Sequence, residues 1–236
     1  RYDGWQFTHF SAGDGLANEN IQSLLEDRLG NLWIGTENGL SRYDGREFVH
    51  FTTTDGLSDN SVVDLLEDRS GDLWIGTENG LNRYDGREFV HFTAADGLVN
   101  GSLKALLEDR SGNLWIGTEN GLSRYDGREF SQFGAEDGLG GIWILALAED
   151  RSGRLWIGTE NGLSRYDGRE FVHFDLIDTS SADQVNRLWL DREERLWVGT
   201  EESGLYRYDG GDNFSSFGME DGLISSRIRA LLEDRE

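Results

Sequence analysis

The chain has 236 residues, of which 36% are apolar and 11% aromatic, so it is long and hydrophobic enough to bury a sizeable core and does not resemble a disordered segment. Its formal net charge of −23 repels nucleic acid phosphates and anionic lipid, so neither is expected as a partner. The absence of cysteine excludes disulfides, thiolate metal sites and a cysteine nucleophile.

The longest apolar run, residues 142–148, is far too short to span a bilayer, so no membrane insertion by this segment is expected. The chain opens on Arg1 inside one repeat and stops inside another, at LLEDRE. This pattern predicts a fragment of a longer protein.

One sequence word recurs along the chain at a fixed spacing. LWIGTENGL stands at residues 32–40, 73–81, 114–122 and 155–163, and it returns as LWVGTEESGL from Leu196. The tryptophans of successive copies are 41 residues apart. A fixed period of this length is typical of repeat architectures such as β-propellers.

The second copy shows the elements of one repeat. An apolar run is followed by a turn, an aromatic and β-branched run, an Asn-Gly hairpin that predicts a type I′ turn, a third run, an Asp-Gly hairpin, a fourth run and a longer loop. We name the four predicted strands A to D; in this copy they are residues 62–66, 73–77, 81–84 and 89–92, and the loop is 93–102.

Four short antiparallel strands every 41 residues predict an all-β fold, a β-propeller of four-stranded blades; a β-sandwich would have no reason to repeat its sequence. Strand A, nearly continuous in apolar residues, is predicted to be buried on both faces and innermost. Five complete blades and a partial sixth, made from both termini, are expected. The complete blades are residues 21–51, 62–92, 103–133, 144–174 and 185–217, and the sixth would use 1–10 and 226–236.

The motif EDRSGNLWIGTENGLSRYDG, followed by Phe residues and DGL, resembles the two-component regulator propeller repeat. The resemblance covers essentially the whole chain. It implies a bacterial sensor propeller in a periplasmic or extracellular location, part of a hybrid histidine kinase or related signalling protein, often one that responds to glycans. It also implies signalling domains of the same parent chain as partners and a seven-bladed ring, or two, in the intact protein. Kinase activity is not expected in these residues.

Acidic pairs such as Glu67-Asp68 recur in nearly every copy. Repetition gives each pair the same surroundings, whereas a catalytic pair needs two different pKa values, so a structural role is favoured and no catalytic residue is predicted. The aspartate is instead expected to accept backbone N–H bonds in its turn. The turn resembles the Asp-box hairpin of sialidase propellers, but its Asp-to-Gly spacing is one residue longer. A calcium-binding ring is a disfavoured alternative for the repeated aspartates at positions 27, 68, 109, 150, 191 and 234. No metal and no cofactor is predicted.

The repeated tryptophan could stack a sugar, but its position between Leu and Ile favours a place in the core between blades. The histidines at positions 9, 50, 91 and 173 fall in strand D, one per blade, and are too far apart to share a metal.

The loop from strand D to strand A and the start of strand A differ among the copies. Strand parity places these segments, with the Asn-Gly turn, at one face, and a symmetric scaffold binds an asymmetric ligand where its symmetry is broken. Trp143 replaces Ser61 or Ser102 and would give an aromatic platform near basic residues. Neutral drift in a surface loop is the alternative. The candidate ligand-binding residues are Asn20, Gln22, Asn60, Asp64, Lys104, Trp143, Gln184, Arg187, Arg227 and Arg229.

These observations favour a non-enzymatic sensor or recognition propeller that binds a glycan or small polar ligand, or relays a signal by packing against a neighbouring domain. A protein–protein interaction scaffold is the first alternative. A propeller lyase or glycosidase is the second.

Overall fold

The computed structural model describes residues 8–176 and 183–233. The chain divides into two compact units, residues 1–95 with 101–103 and residues 96–100 with 104–236. Within the described residues, no helix is long and apolar enough to cross a membrane.

The predicted all-β fold of four-stranded antiparallel sheets is confirmed. Five sheets follow one another, and in each the strands pair in the order of the chain. Sheets 1 and 2 belong to the first unit. Their strands are β1 (Ile21–Glu26), β2 (Leu32–Thr36), β3 (Gly39–Tyr43), β4 (Phe48–Phe51), β5 (Val62–Glu67), β6 (Leu73–Thr77), β7 (Gly80–Tyr84) and β8 (Phe89–Phe92).

Sheets 3 to 5 belong to the second unit, apart from Leu103. Single 3₁₀ turns occur along the chain at Ala12–Asp14, Ala94–Asp96, Ala135–Asp137 and Met219–Asp221. The strands are β9 (Leu103–Glu108), β10 (Leu114–Thr118), β11 (Gly121–Tyr125), β12 (Phe130–Phe133), β13 (Ile144–Glu149), β14 (Leu155–Thr159), β15 (Gly162–Tyr166), β16 (Phe171–Phe174), β17 (Val185–Leu190), β18 (Leu196–Thr200), β19 (Leu205–Gly210) and β20 (Asn213–Phe217).

The second strand of each sheet, and not the first, is the most buried. All five residues of β6, β10 and β14 are buried, whereas burial alternates along β13 and is partial along β5. The prediction that strand A is buried on both faces is therefore wrong. The first strand lies at the edge of its sheet, whereas the second has a strand on either side.

The core of each unit lies between successive sheets and contains the repeated tryptophan. Trp33 packs with Val62 and Ile75 between sheets 1 and 2, and Trp115 packs with Leu155 between sheets 3 and 4. Trp156 is fully buried in the cluster that joins sheets 4 and 5. The prediction of a core role for these rings is thus confirmed.

The turn between the second and third strands is not the predicted type I′ turn. Thr36 pairs with Gly39, so the two loop residues are Glu37 and Asn38. Gly39 has a φ of 117°, but Asn38 is not among the residues with positive φ. The Thr36 hydroxyl explains the difference, because it accepts the N–H of Asn38 and donates to the Gly39 carbonyl.

Residues 224–233 contain no assigned strand, although Ile228 takes the place that Val185 takes in the preceding repeat. The N–H of Ile228 donates to the Thr200 carbonyl at 2.9 Å, and a Cβ on Gly199 would lie 2.6 Å from the Ile228 side chain. No second strand pairs with this segment in the part of the chain that the structure describes, so it has no hydrogen-bonded ladder. The partial sixth blade stays a prediction.

Candidate functional site

The loops that enter the first strand and the turns between the second and third strands lie at the same end of each sheet. In sheet 1 the Glu37 N–H donates to the Asn20 carbonyl, and in sheet 4 the Glu160 N–H donates to the Trp143 carbonyl. The variable residues therefore come beside a glutamate of the recurring word LWIGTENGL or LWVGTEESGL, which we call the constant word. This glutamate stands at positions 37, 78, 119, 160 and 201.

The side chain of this glutamate binds the variable residues differently in sheets 1, 3, 4 and 5. In sheet 1, the Glu37 carboxylate accepts from Asn20 Nδ2 at 2.7 Å and from Gln22 Nε2 at 3.3 Å. In sheet 3, Lys104 Nζ lies 2.8 Å from Glu119 Oε1. The candidate side chains on these two sheets are thus already hydrogen-bonded or ion-paired.

At sheet 5 the same arrangement gathers three candidate residues around Glu201. Arg227 Nε lies 2.7 Å and Arg229 Nη2 4.0 Å from Glu201 Oε1, and the Gln184 carbonyl accepts the Glu201 N–H. Arg187 is exposed, and its Nη1 donates to the Asn186 carbonyl at 2.6 Å.

Sheet 4 differs because its glutamate binds the backbone. Glu160 Oε1 accepts the N–H of Ile142 at 3.2 Å, and Glu160 Oε2 accepts the N–H of Trp143 at 2.9 Å. The Trp143 side chain is 37% exposed. No hydrogen bond, ion pair or ring contact among the described residues joins it to Lys104, Arg187 or Arg229.

The last two candidates, Asn60 and Asp64, belong to sheet 2 and support backbone. Asn60 Oδ1 accepts the Thr53 N–H at 2.9 Å, and the Asn60 carbonyl accepts the N–H of Gly39. Asp64 is half-buried, and its Oδ1 accepts the Leu65 N–H. Sequence reasoning missed the glutamates because they belong to the constant word; the signal was their position beside the variable loop.

The acidic turn at the other end of each sheet is a closed hydrogen-bonded unit. Asp109 Oδ1 accepts the N–H groups of Ser111 and Asn113, and its Oδ2 accepts Asn113 Nδ2 and Trp115 Nε1. The bond from Trp Nε1 to Asp Oδ2, 2.8–3.0 Å long, is present in all five sheets. The predicted role of the aspartate within its turn is confirmed.

These contacts also keep most of the aspartates ionised. Burial of Asp109 raises its pKa, but the bonds from Asn113, Trp115 and backbone N–H groups together outweigh burial and hold the pKa below its ordinary value. The same balance applies to Asp27, Asp150 and Asp191. A general acid needs a raised pKa, so these carboxylates do not suit that role.

Clefts open beside these turns within each unit. One of about 380 Å³ between sheets 3 and 4 is lined by Asp109, Arg124, Glu149 and Tyr166, among others. The Arg124 guanidinium lies over the Trp115 ring, with 5.8 Å from Cζ to the ring centroid. Glu149 Oε2 accepts the Arg110 N–H at 2.8 Å. The acids of this cleft therefore stabilise the turns.

No metal-binding group is formed by the described residues: no three His, Cys, Asp or Glu side chains converge as metal ligands would. Five of the six aspartates in the disfavoured calcium ring lie in sheets 1 to 5, and each accepts hydrogen bonds within its own turn. The sixth, Asp234, lies outside the described residues. His50 Nδ1 lies 3.1 Å from Ser41 Oγ and His91 Nδ1 2.7 Å from Asn82 Oδ1, which are structural contacts.

The chain is similar in fold to several solved structures. An extracellular domain assigned to a hybrid two component system of B. thetaiotaomicron has 20% identity and a TM-score of 0.65 over 96% of this chain and 39% of its own. PorZ, a surface component of the type-IX secretion system of Porphyromonas gingivalis, has 20% identity and a TM-score of 0.71 over 89% of this chain and 35% of its own. Virginiamycin B lyase from Staphylococcus aureus has 16% identity and a TM-score of 0.69 over 86% of this chain and 71% of its own.

At these identities the likeness shows the fold alone, and the chain spans under two fifths of the length of the first two proteins. No curated protein matches the sequence. The family model described as two component regulator propeller matches residues 15–38, 56–79, 97–120 and 138–161. Each match includes one copy of the constant word as far as its turn. The resemblance carried by that word is thereby confirmed in these four segments, each of which matches a two component regulator propeller repeat.

Proposed function

We propose that the chain is a non-enzymatic recognition module, the extracytoplasmic sensing part of a bacterial two-component signalling protein, and that it binds a glycan or a small polar ligand. The observation that carries this proposal is the loop of sheet 4, where Trp143 breaks the repeat and stands exposed on a loop held by Glu160. The extracellular domains among the similar folds support the location and the sensor class.

A recognition role fits the chemistry of the acids better than an enzyme does. The repeated aspartates are saturated by hydrogen bonds and their pKa is lowered in sheets 1, 3, 4 and 5. The likeness to virginiamycin B lyase, at 16% identity, concerns the fold and does not bring an active site with it.

The proposal is tested by a thermal-shift screen of the chain against neutral and acidic oligosaccharides, followed by titration calorimetry of each hit. We expect at least one saccharide to raise the melting temperature, and Trp143→Ala to abolish the shift. Leu29→Ala is the control, since Leu29 is exposed at the opposite end of sheet 1. A saccharide that binds Trp143→Ala as tightly as the parent chain would contradict a site at this loop.

A protein-interaction surface is the second candidate, and exposed apolar side chains beyond the last sheet favour it. Met219, Ile224 and Leu232 are 64%, 101% and 86% exposed. If this surface packs against a signalling domain of the same parent chain, Ile224→Ser should weaken that contact in a parent chain that carries the domain. Cross-linking mass spectrometry of the unchanged parent chain and of its Ile224→Ser variant would measure the cross-links between this surface and the signalling domain.

A further inference from the structure

The loop of sheet 4 is fastened to its own sheet at every step before Trp143. The Gly140 N–H donates to Ser164 Oγ at 3.1 Å, and Asn161 Nδ2 donates to the Gly140 carbonyl at 3.2 Å. The Glu160 carboxylate then accepts the next two N–H groups of the loop, those of Ile142 and Trp143, and the Glu160 N–H donates back to the Trp143 carbonyl. The backbone that presents Trp143 is therefore held on both sides.

Two glycines allow this close approach. A Cβ on Gly141 would lie 2.5 Å from Glu160 Oε2 and 2.7 Å from Thr159 Oγ1, and a Cβ on Gly140 would clash with the His173 ring. Any other residue at position 141 would displace either the loop or the Glu160 carboxylate and so disturb their contact. The Gly-Gly pair is thus part of the device that places Trp143.

A change on strand A distinguishes sheet 4 from sheets 1, 3 and 5. Gln22, Lys104 and Asn186 stand at one repeat position and each binds the glutamate of its own sheet. In sheets 2 and 4 that position is apolar, Val63 and Leu145, and has no donor for the glutamate. Sheet 4 also has the Gly140-Gly141 pair where sheet 2 has Ser58-Asp59, and there Glu160 binds the loop. Glu160 is half-buried, whereas Glu37 and Glu119 are exposed.

The outcome is an apolar pair that is ordered before any ligand arrives. Ile142 and Trp143 are 40% and 37% exposed on a fixed backbone. A ligand that stacks on such a ring does not have to order the loop, which removes one of the usual costs of binding. Because an indole ring offers a flat apolar face, it suits the C–H face of a sugar ring.

The charges favour an uncharged sugar. Both carboxylate oxygens of Glu160 lie within hydrogen-bond distance of the backbone N–H groups of Ile142 and Trp143, and two of the basic candidates are ion-paired, Lys104 with Glu119 and Arg227 with Glu201. The net charge of −23 adds a repulsive field for anions.

We infer that Trp143 is a preorganised stacking platform for a neutral pyranose and that Glu160 is its positioning residue. This inference rests on the proposed function, since it names the ligand class of the same loop. It assigns to Glu160 no direct contact with the sugar.

The positioning of the loop by Glu160 is tested without any ligand, by amide hydrogen exchange of the full chain. We expect Glu160→Ala to raise the exchange rates of the Ile142 and Trp143 amides at least tenfold, and Glu160→Gln, which keeps one acceptor, to raise them less. Glu119→Gln is the control, because Glu119 binds a side chain and not the loop backbone. Unchanged exchange in Glu160→Ala, with the fold retained by circular dichroism, would overturn the positioning role.

The ligand class is tested with neutral cello-, xylo- and manno-oligosaccharides against oligogalacturonate. We expect binding of a neutral member only, its loss in Trp143→Ala, and about tenfold weaker binding in Glu160→Ala. Binding of oligogalacturonate alone through Trp143 would overturn the neutral-sugar inference while leaving the proposed function intact. Binding of neither class would overturn both the neutral-sugar inference and the proposed function. The amide exchange would still show whether Glu160 positions the loop.

Discussion

One side chain distinguishes the acidic turn of sheet 2 from those of sheets 1 and 3. Asn31 and Asn113 each donate their Nδ2 to the aspartate that begins the turn, at 2.8 Å. Sheet 2 has Asp72 at this position, facing Asp68. Burial and, next, the charge of Asp68 raise the pKa of Asp72 above its ordinary value.

Asp72→Asn should stabilise the chain by about 1 kcal/mol at pH 7, because it replaces a carboxylate repulsion with a hydrogen bond to Asp68. A raised folded-state pKa means that the contribution of Asp72 is favourable below its unfolded pKa of about 3.8 and is lost as pH rises through the folded value. The gain from the substitution should therefore shrink in acid. Urea unfolding at pH 7 and pH 3.5 measures it, with Asn113→Asp as the reverse change in sheet 3; equal gains at both pH values would refute this account.

Glu194 has a φ of 62°, the left-handed conformation that favours glycine, and the other four turns have glycine there. Its Oε1 lies 2.9 Å from Arg151 Nε, but the Arg151 side chain is 68% exposed, so the ion pair contributes little. Glu194→Gly should raise the free energy of unfolding by about 0.5–1 kcal/mol through relief of backbone strain. The neighbouring Glu193→Gly should not stabilise. A loss of stability in Glu194→Gly would show that the ion pair outweighs the strain.

At the scale of the element, the glycine in the second strand sets how closely the next sheet approaches. A Cβ on Gly158 would lie 2.6 Å from the Val185 carbonyl oxygen, which is backbone of β17. That oxygen cannot rotate away, so sheet 5 would have to shift.

Gly158→Ala should therefore cost about 2–3 kcal/mol, as overpacking of a close-packed interior does. Gly13→Ala is the matched control, because its Cβ would have only Ser11 Oγ near it, at 3.5 Å. The melting temperatures of both variants test this prediction. A Gly158→Ala chain as stable as the Gly13→Ala control would show that sheet 5 can shift to accommodate the Cβ at no cost in stability.

The element is also the scale at which sequence prediction succeeded. Strand bounds, pairing order and the aspartate's role in its turn follow from local patterns that a 41-residue period repeats five times. The burial of strand A was mispredicted because an apolar run does not distinguish an edge strand from a central one. The turn at Glu37 was mispredicted because the Thr36 hydroxyl, a side-chain effect, selects its geometry.

The candidate site was harder to predict than the strands. The variable residues lie together at one end of each sheet, as predicted from strand parity, but their glutamate partners belong to the constant word and were not predicted. Glu160 and Glu119 stand in identical copies of the constant word. What Glu160 binds differs because of the apolar Leu145 and the Gly140-Gly141 pair. Such a switch depends on which donor comes within reach, and that is decided by three-dimensional distance.

For the whole molecule, the repeated aspartates predict acid sensitivity. The pKa values of Asp27, Asp109, Asp150 and Asp191 are lowered in the folded chain, so their contribution is present above the unfolded value of about 3.8 and is lost as pH falls through the folded values. The melting temperature should thus fall steeply below pH 4. Asp109→Asn should be less stable by about 2 kcal/mol at pH 7, and its deficit should narrow in acid. A deficit that stays constant down to pH 2 would rule out this linkage.

The bond from each tryptophan to the aspartate of its own turn has a consequence for how the chain reaches this structure. Every sheet closes its first hairpin with partners only six residues apart, so folding starts from contacts close along the chain and each hairpin can nucleate alone. Near-identical hairpins are also interchangeable, because a hairpin from one copy meets the same surface in the next. The characteristic error of this chain is therefore a shift by one whole repeat, or exchange of a sheet between two molecules at high concentration, and not a local slip of register.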